Sequence, residues 1–489
     1  MNLNQLKYNK NLFFLISVTL VYVILQIVCI NNCYFWDNIQ QISKEAHWYY
    51  INYFHSISSN SNSTDVIVGT GYHPPLMGIM TAVLWEIFGY HLWVSHVFAL
   101  IWAIILIINV QKLLRLLFPE IYYGWVLVIV LMESSLLTQF AIGSPDFILF
   151  TAFVISLRAV LERKPVLLTI GIFFLCVINM RGIFAGVILL IVNICFSYFE
   201  KVDKPTPRTI FKIIIPYIPT FVILAVYFTN YFIVHGWFFS GTATSGHYST
   251  PTDLNRIIKH AAEFGLRSIE NGRFIVWFIG IYIAWLTLKT KTILTRNEKV
   301  ILLCFLLLTG LYVLFIFITQ MPFSARYFMP QFFLLTVLTL LGILRFFNKR
   351  TIYSICILIL CMELSGHLWI YPDRIAKSWD CTLAHLPFYE LRKECFKYID
   401  SKHLDSKEIS GGFCIYGNSR YIDLNKKEYT IGSNYNQKYF IYSNVSNVED
   451  HFAKELQNRN IWVPIKDFRK GYVLIIIYKN ITVNINKKQ

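Results

Sequence analysis

The stretch GYHPPLMGIMTAVLWEIFG, Gly71 to Gly89, decides how the rest of the chain is threaded. From Pro75 to Phe88 it is apolar enough to enter a bilayer, yet its length of about 14 residues falls short of the ~20 that a spanning helix needs. If it crosses, every later loop changes side. If it lies in the interface, none does. The chain around it has 489 residues, of which 56% are hydrophobic and 15% charged, with 40 Phe and 30 Tyr. A soluble fold of that size cannot hide so much apolar surface, so a polytopic membrane protein is expected.

Apolar runs long enough to span fall at 12–30, 91–111, 121–142, 146–161, 165–180, 182–199, 209–234, 273–288, 299–319, 328–344 and 351–370. That makes about eleven spans without the opening stretch and twelve with it. Short cytoplasmic loops are enriched in Lys and Arg. With the stretch kept out of the bilayer core, the cytoplasmic side up to residue 370 carries 18 of these residues against 7 on the opposite face. Letting it cross gives 8 against 17, the reverse of the rule. The segment from Pro74 to Phe88 therefore reads as an interfacial helix on the outer face, opened by Pro74-Pro75 where no backbone donor is needed.

The first apolar run, preceded by Lys7 and Lys10, has no small-residue cleavage site after it and reads as a retained first span. The net charge of +16 is scattered between apolar segments, as membrane topology requires, which argues against nucleic acid as a partner. None of the ten cysteines shows metal spacing, and several sit inside apolar runs as small hydrophobes. No repeat, low-complexity tract or phosphate-binding glycine loop is present.

The expected fold is an all-α polytopic membrane domain over 1–370, with interfacial helices in a large first outer loop, followed by a small α+β extracytoplasmic domain over 371–489. The tail mixes helical stretches (FYELRKECFKYIDSK, HFAKELQNRN) with strand-like ones (GGFCIYG, KYFIYSN, GYVLIIIYKN). Its Cys381, Cys395 and Cys414 would meet an oxidising compartment, where one pair is a candidate for a bridge.

With that topology a set of polar residues converges on the outer face: Asp37 in FWDNIQQISKEA, His73 at the head of the interfacial helix, Asp146 in GSPDFILF, Arg181 in NMRGIF, and Arg326 and Tyr327 in PFSARYFMP. Each has a bland alternative. Asp37 can be a helix cap for the amphipathic segment 38–54, whose Ile39, Ile42, Ala46 and Tyr49 share a face, and Asp146 follows Ser144-Pro145 as a helix start. His73 can bond a loop carbonyl. Arg181 and Arg326 can snorkel, but they lie on the face where basic residues are depleted, which favours an anionic partner. Arginines that hold a lipid phosphate as leaving group, with a carboxylate that takes a proton from the attacking group, form a chemically complete transfer site.

These motifs, in this order, resemble the GT-C membrane glycosyltransferases, in particular the protein O-mannosyltransferase and lipid A aminoarabinose transferase branch. The resemblance runs over most of residues 10–345. It implies a polyprenyl-phosphate-linked sugar donor, transfer at the outer face of the membrane, a lipid, glycan or protein acceptor, and inversion at the anomeric carbon. It casts Asp37 as catalytic base or acceptor anchor, Asp146 as the second acid, and Arg181 and Arg326 with Tyr327 as the donor-phosphate residues. His73 falls where some relatives carry a metal-binding carboxylate. A divalent metal would then need a second-loop partner, with His235 or His247 as candidates. The rich use of Lys, Asn, Ile and Tyr points to a bacterial inner membrane with an undecaprenyl carrier. A polysaccharide polymerase or ligase and a lipid-linked sugar flippase are the competing readings; the latter requires ionisable residues near span centres, of which the sequence offers few, chiefly Glu133 and Glu363.

Overall fold

The structure, a computed structural model, describes residues 3–55, 73–119, 122–199, 207–235, 253–320, 322–370, 378–425, 429–446 and 448–482. His247 lies outside them. The chain opens with α1 (Leu3–Cys29), a π-helical turn (Ile39–Lys44), α2 (Glu45–Ile51), α3 (Leu76–Phe88) and α4 (Leu92–Leu117). Then come α5 (Tyr123–Leu131), α6 (Ser134–Ala141), α7 (Pro145–Glu162), α8 (Pro165–Ile178), α9 (Met180–Phe199), α10 (Pro207–Ile214) and α11 (Ile218–His235). The helical part closes with α12 (Leu254–Ile269), α13 (Phe274–Lys289), α14 (Arg296–Ile318), α15 (Met329–Phe346) and α16 (Lys349–Ser365).

Among the described residues, seven helical stretches are long and apolar enough to cross a bilayer, or nine if the bent pairs α5–α6 (59°) and α12–α13 (91°) each make one span. Their outward side chains are large and apolar, with Phe221 73% and Leu288 79% exposed, a surface that only lipid can cover. The protein is an integral multi-pass membrane bundle. Three of the expected spans depart from the ordinary pattern. α7 carries Asp146, Arg158 and Glu162, and it is buried without interruption from Pro145 to Val160. It is the central post of the bundle, and protein partners satisfy its charges: Arg158 donates to Asn109 at 2.6 Å and to Glu162 at 3.0 Å. α8, with 14 residues, is about 21 Å long and packs between α7 and α9.

The opening stretch forms α3, whose 13 residues give a rod of about 20 Å, well short of a ~30 Å bilayer core. It lies against α2 so closely that a Cβ on Gly78 would fall 2.5 Å from the Glu45 Cβ. Ile42, Ala46 and Tyr49 are buried, as their shared face requires. The expected continuous span at 121–142 is instead broken at Glu133, which caps α6 by accepting from the Leu136 amide at 2.8 Å and pairs with the fully buried Arg273 at 2.8 Å. An apolar run conceals such a bend, because Glu133 finds its partner 140 residues away.

The tail folds as α17 (Pro387–Ser401) over a four-stranded sheet of order β1-β4-β6-β5. The strands are β1 (Ile409–Gly411), β2 (Gly417–Asn418), β3 (Thr430–Ile431), β4 (Tyr439–Ser443), β5 (Trp462–Lys470) and β6 (Val473–Asn480), with α18 (Ser419–Ile422) and α19 (Asp450–Glu455) between them. β1 and β4 are parallel, and β4–β6 and β5–β6 antiparallel. Two local expectations need correction. GGFCIYG is a tight turn after β1, with Cys414 at φ 73°, and the strand at 462–470 was hidden by Pro464, which an edge strand tolerates beside its bulge. All ten cysteines are free, so the bridge considered for Cys381, Cys395 and Cys414 does not form. Cys395 and Cys414 pack in the core of the tail, while Cys381 sits at the bundle beside Ser324. The tail docks on the first loop: Tyr34 N donates to Ile422 O (2.9 Å), Ser43 Oγ to Tyr421 O (2.5 Å) and Tyr90 OH to Arg420 O (2.8 Å).

Candidate active site

Both capping alternatives resolve against the aspartates. After α1 the chain turns at Trp36, whose φ of 50° is left-handed and whose ring meets Phe413 edge-on at 5.6 Å. The π-helical turn begins with Asn38 in the cap position, and Asp37 contributes only its main-chain carbonyl, which accepts from Gln40 N and Gln41 N. Its carboxylate is left for other work. At α7 the cap is Ser144, whose Oγ accepts from the Asp146 amide at 3.1 Å, so the Asp146 carboxylate is likewise spared.

The two carboxylates meet the two arginines. Arg181, second residue of α9, donates from Nη2 to Asp146 Oδ1 at 2.5 Å and lies with its guanidinium carbon 3.6 Å from the centre of the Tyr327 ring. Asn179 breaks the chain between α8 and α9 and accepts from the Arg181 amide at 3.0 Å, which aims the side chain. Arg326 sits in the 3-10 turn Ala325–Phe328 that leads into α15. It donates from Nη2 to Asp37, and its Nε lies 3.2 Å from Asp146 Oδ2. Its Nη1 lies 3.1 Å from Oδ2 of a residue the sequence reading did not select, Asp380. Tyr327 is held by Tyr312, which donates to its carbonyl at 2.6 Å. The side chains of Arg326, Asp146 and Asp380 are 7%, 7% and 4% exposed, and that of Asp37 keeps 34%.

The electrostatics follow from this packing. Burial pushes the Asp37 carboxyl up, and the Arg326 guanidinium more than offsets it, leaving the group below its ordinary value. Burial outweighs Arg326 at Asp380, which is raised. His73 feels burial first and then Arg181, and is pushed down to about 4 although Asp146 and Asp37 pull the other way. It is therefore neutral at pH 7, with its Nδ1 buried and unpartnered. Beside this cluster lies a narrow cleft whose apolar wall is Leu149, Ala185, Leu308, Leu311, Met329 and Pro330 and whose other lining residues include Arg181, Tyr312 and Tyr327. The Nη1 of Arg181 is buried there without a hydrogen-bond partner.

The described residues do not fit a divalent metal. The carboxylates near His73 are already turned to guanidinium groups, and no three His, Cys, Asp or Glu side chains among the described residues are grouped as ligands. Five of the expected residues, Asp37, Asp146, Arg181, Arg326 and Tyr327, are thus in mutual contact, and His73 lies within electrostatic reach. Asp380 was missed because its stretch has no periodicity; the only signal was an acid set between Trp379 and Cys381 just past the last span.

This helical bundle with its C-terminal α+β domain shares its fold with a solved membrane-protein structure. The structure of ArnT from Cupriavidus metallidurans in the apo state matches it with a TM-score of 0.50 at 11% identity, over 94% of this chain and 97% of that one. ArnT from the same organism bound to undecaprenyl phosphate gives 0.49 and 9% over the same shares, and the Archaeoglobus fulgidus oligosaccharyltransferase in the apo form gives 0.39 and 13% over 72% and 56%. At such identity the likeness to the apo ArnT structure establishes the fold. No protein-family model matches the sequence, and no curated protein matches it.

Proposed function

We propose that this protein is a glycosyltransferase that moves a sugar from a polyprenyl-phosphate donor to a lipid, glycan or protein acceptor at the outer face of a bacterial inner membrane. The N-terminus would then be cytoplasmic and the tail domain periplasmic. The observation that carries the reading is the mostly apolar cleft beside the unpartnered Nη1 of Arg181 above Tyr327: an apolar wall next to a guanidinium nitrogen with no hydrogen-bond partner suits a lipid phosphate.

In this reading the prenyl chain lies along the cleft, and Arg181 holds the phosphate and stabilises it as it leaves. Asp37, ionised and partly exposed, takes the proton from the acceptor hydroxyl or amine as the new glycosidic bond forms. Attack opposite to the leaving phosphate inverts the anomeric carbon. Arg326, whose three nitrogens all face carboxylates, keeps Asp37 and Asp146 in place and meets the phosphate only by exchanging one of them. No step runs through a metal.

The test uses purified protein in liposomes with an envelope extract as acceptor pool, supplied with labelled sugar either on undecaprenyl phosphate or on a nucleoside diphosphate. Transfer from the first alone, with release of undecaprenyl phosphate, is expected. Transfer from the nucleotide sugar alone would overturn the proposal.

A further inference from the structure

We propose that Asp380, supplied by the segment that joins the membrane bundle to the outer domain, is a positioning residue of the active site: it fixes the Arg326 guanidinium, which in turn holds Asp37 where the acceptor is deprotonated. The inference rests on the reading of Asp37 as the base.

Charge balance does not explain Asp380. Without it, Asp37 and Asp146 would match Arg181 and Arg326 one to one. With it, three carboxylates share two guanidiniums, and the third is almost fully buried. An excess buried carboxylate is costly unless its geometry is put to use. The anchoring of its own segment does not explain it either, because other groups do that. The Asp380 carbonyl accepts from Gln139 Nε2 of α6 at 2.6 Å. Two residues earlier, Ser378 Oγ accepts from Arg267 Nη1 at 2.6 Å and donates to Glu270 Oε1 at 2.9 Å. With the backbone clamped on two sides, the carboxylate is presented to Arg326 as a fixed point. Arg326 is a planar fork, so a partner at Nη1 sets the plane, and that plane decides where Nη2 meets Asp37 and Nε meets Asp146. The tail thereby becomes part of the active site through one side chain.

The experiment compares Asp380→Ala, Asp380→Asn and Asp380→Glu in the full chain, with undecaprenyl-phosphate sugar as donor. A small displacement of a reacting group costs on the order of 10- to 100-fold. Asp380→Ala should lower kcat by roughly 10-fold or more, with the KM for donor within about 3-fold and the melting temperature held, and Asp380→Glu should restore part of kcat. A merely structural role would lower the melting temperature and leave kcat per folded molecule unchanged, which overturns the proposal, as does a kcat within about 2-fold of wild type in Asp380→Ala. Activity that persists in Asp37→Asn would refute the base reading by itself. In that case a double-mutant cycle on thermal stability, with Arg326→Gln and Asp380→Asn, still judges the pairing: non-additive effects uphold it, and additive ones overturn it.

Discussion

Asp37→Asn separates the chemistry of the site from its architecture. The Asn side chain keeps an oxygen that can accept from Arg326 Nη2, and Arg326 retains Asp146 and Asp380. The pair being weakened is one-third exposed on the Asp37 side, so solvent screens it, and the change removes a charge from a site that holds an excess of carboxylates. Stability should therefore stay within about 1 kcal/mol of wild type. Turnover should fall by roughly 100-fold or more, about 2.7 kcal/mol on the barrier, if the carboxylate is the base. Arg326→Gln is the opposite perturbation: it leaves the almost fully buried Asp380 without its arginine, while Asp146 keeps Arg181, and should cost roughly 3–5 kcal/mol of stability. The assay measures transfer from undecaprenyl-phosphate sugar per folded molecule, with folding followed by thermal unfolding in detergent. The acid limb of kcat/KM should lie below ~3.9, the ordinary aspartate value, because Arg326 holds Asp37 ionised in the folded state and the base is lost only as pH falls through that depressed value. An abundant, folded Asp37→Asn protein that transfers sugar within a few-fold of wild type would refute the catalytic assignment. An Arg326→Gln protein as stable as wild type would refute the charge accounting behind it.

Arg181→Lys keeps a charge but loses the flat contact with Tyr327 and the forked geometry, and should weaken undecaprenyl phosphate binding by about 10-fold; unchanged affinity in a binding titration would exclude Arg181 from the phosphate site. Gly182→Ala would bring a Cβ within 1.6 Å of the Leu175 carbonyl at the turn that aims Arg181, so it should cost roughly 1–3 kcal/mol and impair donor binding. Gly265→Ala in α12, where a Cβ meets nothing within 4 Å, is the control and should be neutral or slightly stabilising in the same melting assay. His385, fully buried against Phe35 at 4.8 Å, is pushed down to about 4 by burial, so between roughly pH 6.5 and 4 the unfolded chain takes up a proton that the folded one refuses. Stability should be lost as pH falls through that window, on the order of 3 kcal/mol from this residue, and His385→Gln should flatten the dependence of melting temperature on pH.

The helices were largely legible in the sequence, because a membrane span is written as a long local pattern and the basic residues between spans report which side each loop occupies. What was lost is what depends on distant partners. Glu133 bends α5 away from α6 only because Arg273 waits at the bend, and a continuous apolar run gives no sign of it. Asp380 belongs to the site only because Gln139 and Ser378 seat its segment, and neither has a sequence pattern that marks it.

Asp37 and Asp146 show where local reading stops and how the structure continues it. Each stands beside a residue of equal capping ability, Asn38 and Ser144, and from sequence either member of each pair can serve the helix. In the folded chain neither carboxylate caps: Asn38 sits immediately before the π-helical turn with its side chain donating to the Ile142 carbonyl at 2.7 Å, and Ser144 binds the first free amide of α7. A carboxylate whose oxygens go to an arginine far along the chain, nearly buried at Asp146 and one-third exposed at Asp37, gains nothing for its own helix that a smaller polar residue would not supply. Asp146 meets both Arg181 and Arg326, and Asp37 meets Arg326, so residues far apart in the sequence share one cluster; in the proposed reaction that cluster supplies a proton acceptor next to an arginine that would hold the phosphate.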